Sequence, residues 1–222
     1  EIKRQYYVGQ TPSFYYTREY DESGNRVKYS TYNSSDILQN YWDYTFDANG
    51  NATGGSYYNV ALSWYYTYEY NLFNQPIEYN RYNSAGILQE KILYIRDEFG
   101  NEIRNESYDG AGTLLVYSEM EYNSSGNVLK EYNYNALGEL QNYQLYEYRG
   151  GNISRHGYYD SNGTLTNLEI YEYNDDEQVV TYSTYLGDNL QYYYTNEYDS
   201  NGNRIKYTMY DGNGNIDYYY EY

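Results

Sequence analysis

The chain has 222 residues, 42 of them Tyr against 4 Phe and 2 Trp, a formal charge of −18 and no Cys. Its mean hydropathy is −1.03, too polar for a conventional core, yet a disordered chain is poor in aromatics, so the tyrosines argue for folded strands. The charge excludes nucleic acid, whose phosphates need clustered Lys and Arg. No apolar run is long enough to insert in a membrane, and the missing thiols exclude disulfides, thiolate metal sites and cysteine nucleophiles.

In chain order, residues 1–18, "EIKRQYYVGQTPSFYYTR", match the rest of the chain only loosely and are expected to form a degenerate N-terminal cap. Residues 19–222 are expected to form one elongated repeat domain. One half-repeat reads Y-[DN]-x-x-G-N-x-Φ, as in "YDESGNRV" from Tyr20, "YNSSGNVL" from Tyr122 and "YDSNGNRI" from Tyr198. The other reads Y-[DN]-x-x-G-x-Φ, as in "YNSAGIL" from Tyr82 and "YDGNGNI" from Tyr210.

Aligning the apolar residue after the second turn brings eight positions into register, Leu38, Leu62, Leu88, Leu114, Leu140, Leu165, Leu190 and Ile216, spaced by 24 to 26 residues. The tyrosine leading into that turn recurs with them, at Tyr32, Tyr58, Tyr82, Tyr108, Tyr134, Tyr159, Tyr185 and Tyr210. Irregularities fall in the turns. "YNVAL" and "YLGDNL" shorten one, and Asn74 replaces a turn Gly in "YNLFNQPI", a position that asks for positive φ.

Each half-repeat leaves about eight residues between turns, the length of one strand. Asp or Asn opens the turn and Gly closes it in the left-handed conformation. The expected fold is all-β: an antiparallel meander of about sixteen strands, built from about eight double-hairpin repeats of roughly 26 residues. Tyrosines occupy both strand faces. The sixth position after the apolar anchor carries Tyr44, Tyr68, Tyr94, Met120, Tyr146, Tyr171, Asn196 and Tyr222, and the third, of opposite parity, carries Tyr41, Tyr65, Lys91, Tyr117, Tyr143, Leu168, Tyr193 and Tyr219. Neither face is aliphatic enough to pack in a sandwich. A single-layer sheet, or one coiled into a superhelix, is therefore expected, held by cross-strand Tyr pairs.

Glu69, Glu121, Glu147, Glu172 and Glu197 recur before the first turn, and Arg26, Lys28, Arg104, Lys130, Arg204 and Lys206 fall in alternate strands. Register decides whether they form ion pairs or a solvated face.

"EYDSNGNRI" and its relatives resemble the YD repeats of bacterial Rhs-type and teneurin-like proteins, and more loosely the MORN-type hairpin arrays. The YD resemblance implies a long antiparallel sheet, bacterial and exported, and in larger members a shell around cargo.

Chemistry-bearing residues are sparse. "DGNGNID" from Asp211 and "DANGN" from Asp47 spell D-x-N-x-N, the opening of a calcium loop, but neither has Gly at its sixth position or Glu at its twelfth. Turn formation accounts for the spacing, so no metal or cofactor is expected. His156 is the only His and is expected at the surface without a catalytic partner, so no enzymatic activity is expected. The tyrosines can stack on sugars or on a partner's rings, which makes Tyr41, Tyr65, Tyr117, Tyr143, Tyr193 and Tyr219 the candidate ligand-binding residues. The functional expectation is a secreted or surface-displayed bacterial module, structural or adhesive, with a carbohydrate or protein partner. The alternative is a fragment of a larger YD-repeat toxin or exoprotein.

Overall fold

In the computed structural model, residues 2–8 and 11–222 are described. The chain divides into two compact units, Glu1–Leu115 and Val116–Tyr222. The first contains β1 (Ile2–Val8), β2 (Thr11–Tyr20), β3 (Arg26–Asn33), β4 (Leu38–Phe46), β5 (Ala52–Asn59), β6 (Ala61–Tyr70), β7 (Pro76–Asn83), β8 (Leu88–Arg96) and β9 (Glu102–Asp109). The boundary falls within β10 (Leu114–Tyr122). The second unit continues with β11 (Val128–Asn135), β12 (Leu140–Arg149), β13 (Asn152–Asp160), β14 (Leu165–Tyr173), β15 (Val179–Leu186), β16 (Asn189–Tyr198), β17 (Arg204–Asp211) and β18 (Ile216–Glu221).

The all-β antiparallel meander is thus observed, with eighteen strands among the described residues rather than about sixteen. The added strands are β1 and β2, which pair from Ile2 opposite Arg18 to Val8 opposite Thr11. By sequence this stretch reads as a cap because it lacks the Y-[DN]-x-x-G signature. Residues 1, 9 and 10 of the expected cap lie outside the described residues.

Among the described residues, strands within each unit touch only their neighbours in sequence, so each unit is a single layer. Among the described residues the buried hydrophobics are Tyr15, Tyr16 and Leu168. There is no aliphatic core of the kind that a second layer would create.

The turns explain the repeat motif. In the hairpin between β17 and β18, Gly214 N–H donates to Asp211 O at 3.0 Å and Asp211 N–H to Asn215 O at 2.9 Å. Asp211 Oδ1 accepts from the backbone N–H of Asn213 and Asn215 at 2.9 and 2.8 Å, and Oδ2 from the Asn215 amide at 2.9 Å. Gly214 has φ 83°, which L side chains adopt only at a cost. Where Gly is replaced, the left-handed geometry persists, with Asn74 at φ 60° and Asp36 at φ 61°.

A register shift at each second-turn hairpin sets Tyr32 opposite Leu38, Tyr82 opposite Leu88, Tyr134 opposite Leu140 and Tyr210 opposite Ile216. The two columns counted along the sequence are partners across one bulge.

The charge columns meet in register at three places. Glu121 reaches Lys130 at 3.5 Å, Glu147 Arg155 at 3.8 Å and Glu197 Lys206 at 3.7 Å. These pairs are exposed and contribute little. Glu69 instead faces Glu78, whose carboxylate takes Lys91 at 2.7 Å, and Glu172 faces Thr181.

Candidate functional site

The third-position tyrosines form a repeated structure that sequence alone left undefined. All but Tyr219 stack on the turn-leading tyrosine of the next strand. Tyr41 stacks on Tyr58 with ring centroids 4.2 Å apart and planes 6° from parallel, and Tyr65 on Tyr82 at 4.8 Å and 15°. Tyr117 and Tyr134 lie at 4.7 Å and 15°, Tyr143 and Tyr159 at 4.8 Å and 4°, and Tyr193 and Tyr210 at 4.4 Å and 4°. Tyr15 and Tyr32, at 4.8 Å and 10°, extend the series into β2.

Five of the six candidate ligand-binding tyrosines are therefore half-buried in dyads. The sixth, Tyr219, faces Thr208 across the ladder and is 57% exposed. Between β10 and β13 the dyads join, because Tyr132 lies 5.8 Å from Tyr143 and 6.4 Å from Tyr134. Lys91 opposite Tyr108 and Leu168 opposite Tyr185 interrupt the series.

The dyads also cover the turns beyond them. The hydroxyls of Tyr65, Tyr117 and Tyr143 come within 3.6, 3.5 and 3.6 Å of where a Cβ would stand on Gly86, Gly138 and Gly163. The tyrosines that lead into the first turns are anchored differently. Tyr70, Tyr148, Tyr173 and Tyr198 donate their hydroxyls to the carbonyls of Ala52, Val128, Ile153 and Val179 at 2.8, 2.7, 2.7 and 2.9 Å.

The sixth-position face carries the strongest electrostatic perturbation. His156, expected at the surface, is 12% exposed. Register places it between Tyr146 and Glu169, and its ring lies 4.2 Å from Tyr146 and 4.2 Å from Tyr158. Its Nδ1 is 3.3 Å from Glu169 Oε2 and its Nε2 2.9 Å from Gln144 Oε1. Glu169 also accepts from the hydroxyls of Tyr171 at 3.2 Å and Tyr182 at 3.0 Å. Burial, with the Glu131 carboxylate adding to it, pushes the Tyr146 phenol up to about 12. Burial followed by Glu169 raises Tyr171 and Tyr182 as well. These phenols stay protonated near neutrality and donate hydrogen bonds.

In the D-x-N-x-N turns the Asp oxygens are engaged by N–H donors, and the Asn51 and Asn215 amides lead in holding Asp47 and Asp211 below the ordinary carboxylate range. Among the described residues no group of three or more His, Cys, Asp or Glu is placed to hold a metal ion.

Sequence reading also missed Phe73 and Phe99, which stand 82% and 81% exposed at neighbouring first-turn tips. The available signal was compositional, since two of only four phenylalanines occupy a turn position held elsewhere by Ser, Asn or Asp.

No known protein family matches the chain, and no curated protein matches it. Among solved structures, TcdB2-TccC3 without its hypervariable C-terminal region overlaps at 12% identity and a TM-score of 0.37, over 95% of this chain and 15% of that one. The Photorhabdus luminescens Tc holotoxin pore overlaps at 10% identity and 0.29, again over 95% and 15%. A porin-like protein from Bacteroides uniformis overlaps at 12% identity and 0.44, over 88% and 87%. The chain thus spans 15% of the toxin chains' length. Overlaps this loose carry no functional assignment.

Proposed function

We propose that the chain is a non-enzymatic structural and adhesive repeat module of a secreted or surface-displayed bacterial protein, whose tyrosine-lined acidic face binds a glycan or a protein. The observation that supports this reading is the regularity of the dyads. They recur at alternate strands, roughly 10 Å apart between successive copies, except where Lys91 and Leu168 stand in the tyrosine's place, and suit a ligand that is itself repetitive. The rings of each dyad are half-buried and amphipathic, which suits a surface that contacts a partner with both apolar and polar groups. A glycan array and a cell-wall pull-down test the reading. Binding that weakens in the Tyr117→Ala/Tyr143→Ala double variant supports it; no binding, or binding indifferent to both substitutions, overturns it.

The alternative, a piece of a larger YD-repeat exoprotein, draws on the Y-[DN]-x-x-G turns that run through both units. Sequencing the surrounding gene tests it: further repeats followed by a non-repetitive domain support it, and an isolated reading frame of this length contradicts it.

A further inference from the structure

Apart from the shortened Gly150–Gly151 turn between β12 and β13, the first-turn tips break the repeat in one place. The residue before the left-handed position is Ser23, Asn49, Ser125, Asp176 or Asn201 in five of these turns, and Phe73 and Phe99 in the neighbouring hairpins β6–β7 and β8–β9. A polar tip needs no explanation in so polar a chain. Two adjacent phenyl rings held in water, beside a 99% exposed Leu72, oppose the hydrophobic effect and have no packing role in the sheet.

Between the two tips lies a cleft of about 400 Å³, lined by both rings and by the Asp97 and Glu98 carboxylates. Its floor is tied together by internal hydrogen bonds. Gln75 Nε2 donates to Gly100 O at 3.0 Å and ties one turn to the other. The Arg96 guanidinium donates to Gly100 O at 3.1 Å and to Pro76 O at 3.3 Å, and pairs with Glu102 at 3.3 Å. Its charge is compensated and its side chain is 16% exposed. The cleft therefore presents two phenyl rings and the negative charge of Asp97 and Glu98, with Asp97 held in place by the Phe99 and Asn101 backbone N–H and the Asn101 amide at 2.9 Å each and the floor's hydrogen-bonding groups largely used internally.

We propose that this cleft binds an organic ammonium group between Phe73 and Phe99, with Asp97 and Glu98 as counter-charge. The group is carried either by a small quaternary amine or by a lysine side chain of a partner. A phenyl face attracts a cation through its quadrupole and supplies no hydrogen bond. An anion is opposed by the rim and by a net charge of −18. A saccharide needs directed donors and acceptors, and the floor has committed those it has. Asp97 stays ionised over a wide range because the Asn101 amide, followed by backbone N–H groups, holds its carboxyl below the ordinary value. The adjacent space at the β2–β3 and β4–β5 turns is a useful internal control, since its tips are Ser23 and Asn49.

The test uses the full chain and four probes: choline, its uncharged carbon isostere dimethylbutanol, N-acetyl-lysine methylamide and an N-acetylglucosamine oligomer, each titrated by NMR while the ring signals of Phe73 and Phe99 are followed. Choline is expected to give saturable shifts at millimolar concentration, weakened about two- to fivefold by Phe73→Ala or by Phe99→Ala. Glu98→Gln is expected to weaken binding and flatten its salt dependence. Choline binding without lysine binding assigns the cleft to a small amine, and lysine binding as tight or tighter assigns it to a basic segment of a partner. The proposal is overturned if neither cation binds, if dimethylbutanol binds as well as choline, or if an N-acetylglucosamine oligomer shifts the same signals more strongly. These side chains project into solvent, and circular dichroism of each variant separates lost binding from lost fold.

Discussion

Val60 joins β5 to β6 with φ 68° and is 98% exposed. A β-branched residue in the left-handed region brings its Cβ against the carbonyl, which costs about 1–2 kcal/mol. Gly removes that strain but loses more chain entropy on folding, about 0.5–1 kcal/mol. Almost none of the Val side chain is packed, so Val60→Gly sacrifices nothing else. The balance is a gain of about 0.5–1 kcal/mol, worth a rise of roughly 1–4 °C in Tm for a chain of this length. Thermal and urea unfolding of wild type, Val60→Gly and Val60→Ala, followed by circular dichroism, measure it, with Ala expected near wild type. A Val60→Gly variant no more stable than wild type would refute the assignment of strain to this turn.

Two further predictions concern close backbone approach and ionisation. A Cβ on Gly54 would lie 2.8 Å from the Tyr66 carbonyl, and one on Gly55 would lie 2.7 Å from the Tyr66 ring. Gly54→Ala is therefore expected to destabilise by about 1–3 kcal/mol and Gly55→Ala by less, because a ring can swing where backbone cannot; urea midpoints for the pair decide the order. Tyr146 titrates near 12 in the folded chain and near 10 when unfolded. Its raised value contributes stability that is fully present below pH ~10 and lost as pH climbs through the folded value. Tyr171 and Tyr182 shift in the same direction. Urea midpoints should thus hold up to about pH 10 and fall steeply above it; a midpoint unchanged through that rise contradicts the buried-phenol cluster. At acid pH the opposite sign applies to Asp21, Asp199 and Asp211, whose carboxyls are held below 3.8 by turn hydrogen bonds. Their contribution is present above that value and disappears as pH drops below it.

The meander was legible because eight copies of one turn motif leave strand-length gaps between them, and the two tyrosine columns were legible by parity. Their partnership was not. A bulge at the first turn, at Thr45/Phe46 and at Glu69/Tyr70, sets the register that brings Tyr58 beside Tyr41 and Tyr82 beside Tyr65, and the offset of one residue that decides this is invisible in a period of 24 to 26. Five of the six rings that read as ligand surface in the sequence are, for the same reason, half-buried in dyads, and Tyr219 stands exposed. His156 was misplaced because its environment comes from strands on either side, Tyr146 from β12 and Glu169 from β14. Residues 1–18 look unlike the repeat because "YVGQT" lacks the Asx-Gly turn, although Tyr15 and Tyr16 pack as the later copies do.

The central claim is that stacked tyrosine dyads hold a single-layer sheet together where other folds use an aliphatic core. Tyr193 and Tyr210, 4.4 Å apart and 4° from parallel, test it most directly through a double-mutant cycle with Tyr193→Ala, Tyr210→Ala and the double variant in urea. A coupling of about 0.5–1.5 kcal/mol favouring the pair is predicted. Additive losses, with no coupling beyond experimental error, would contradict it.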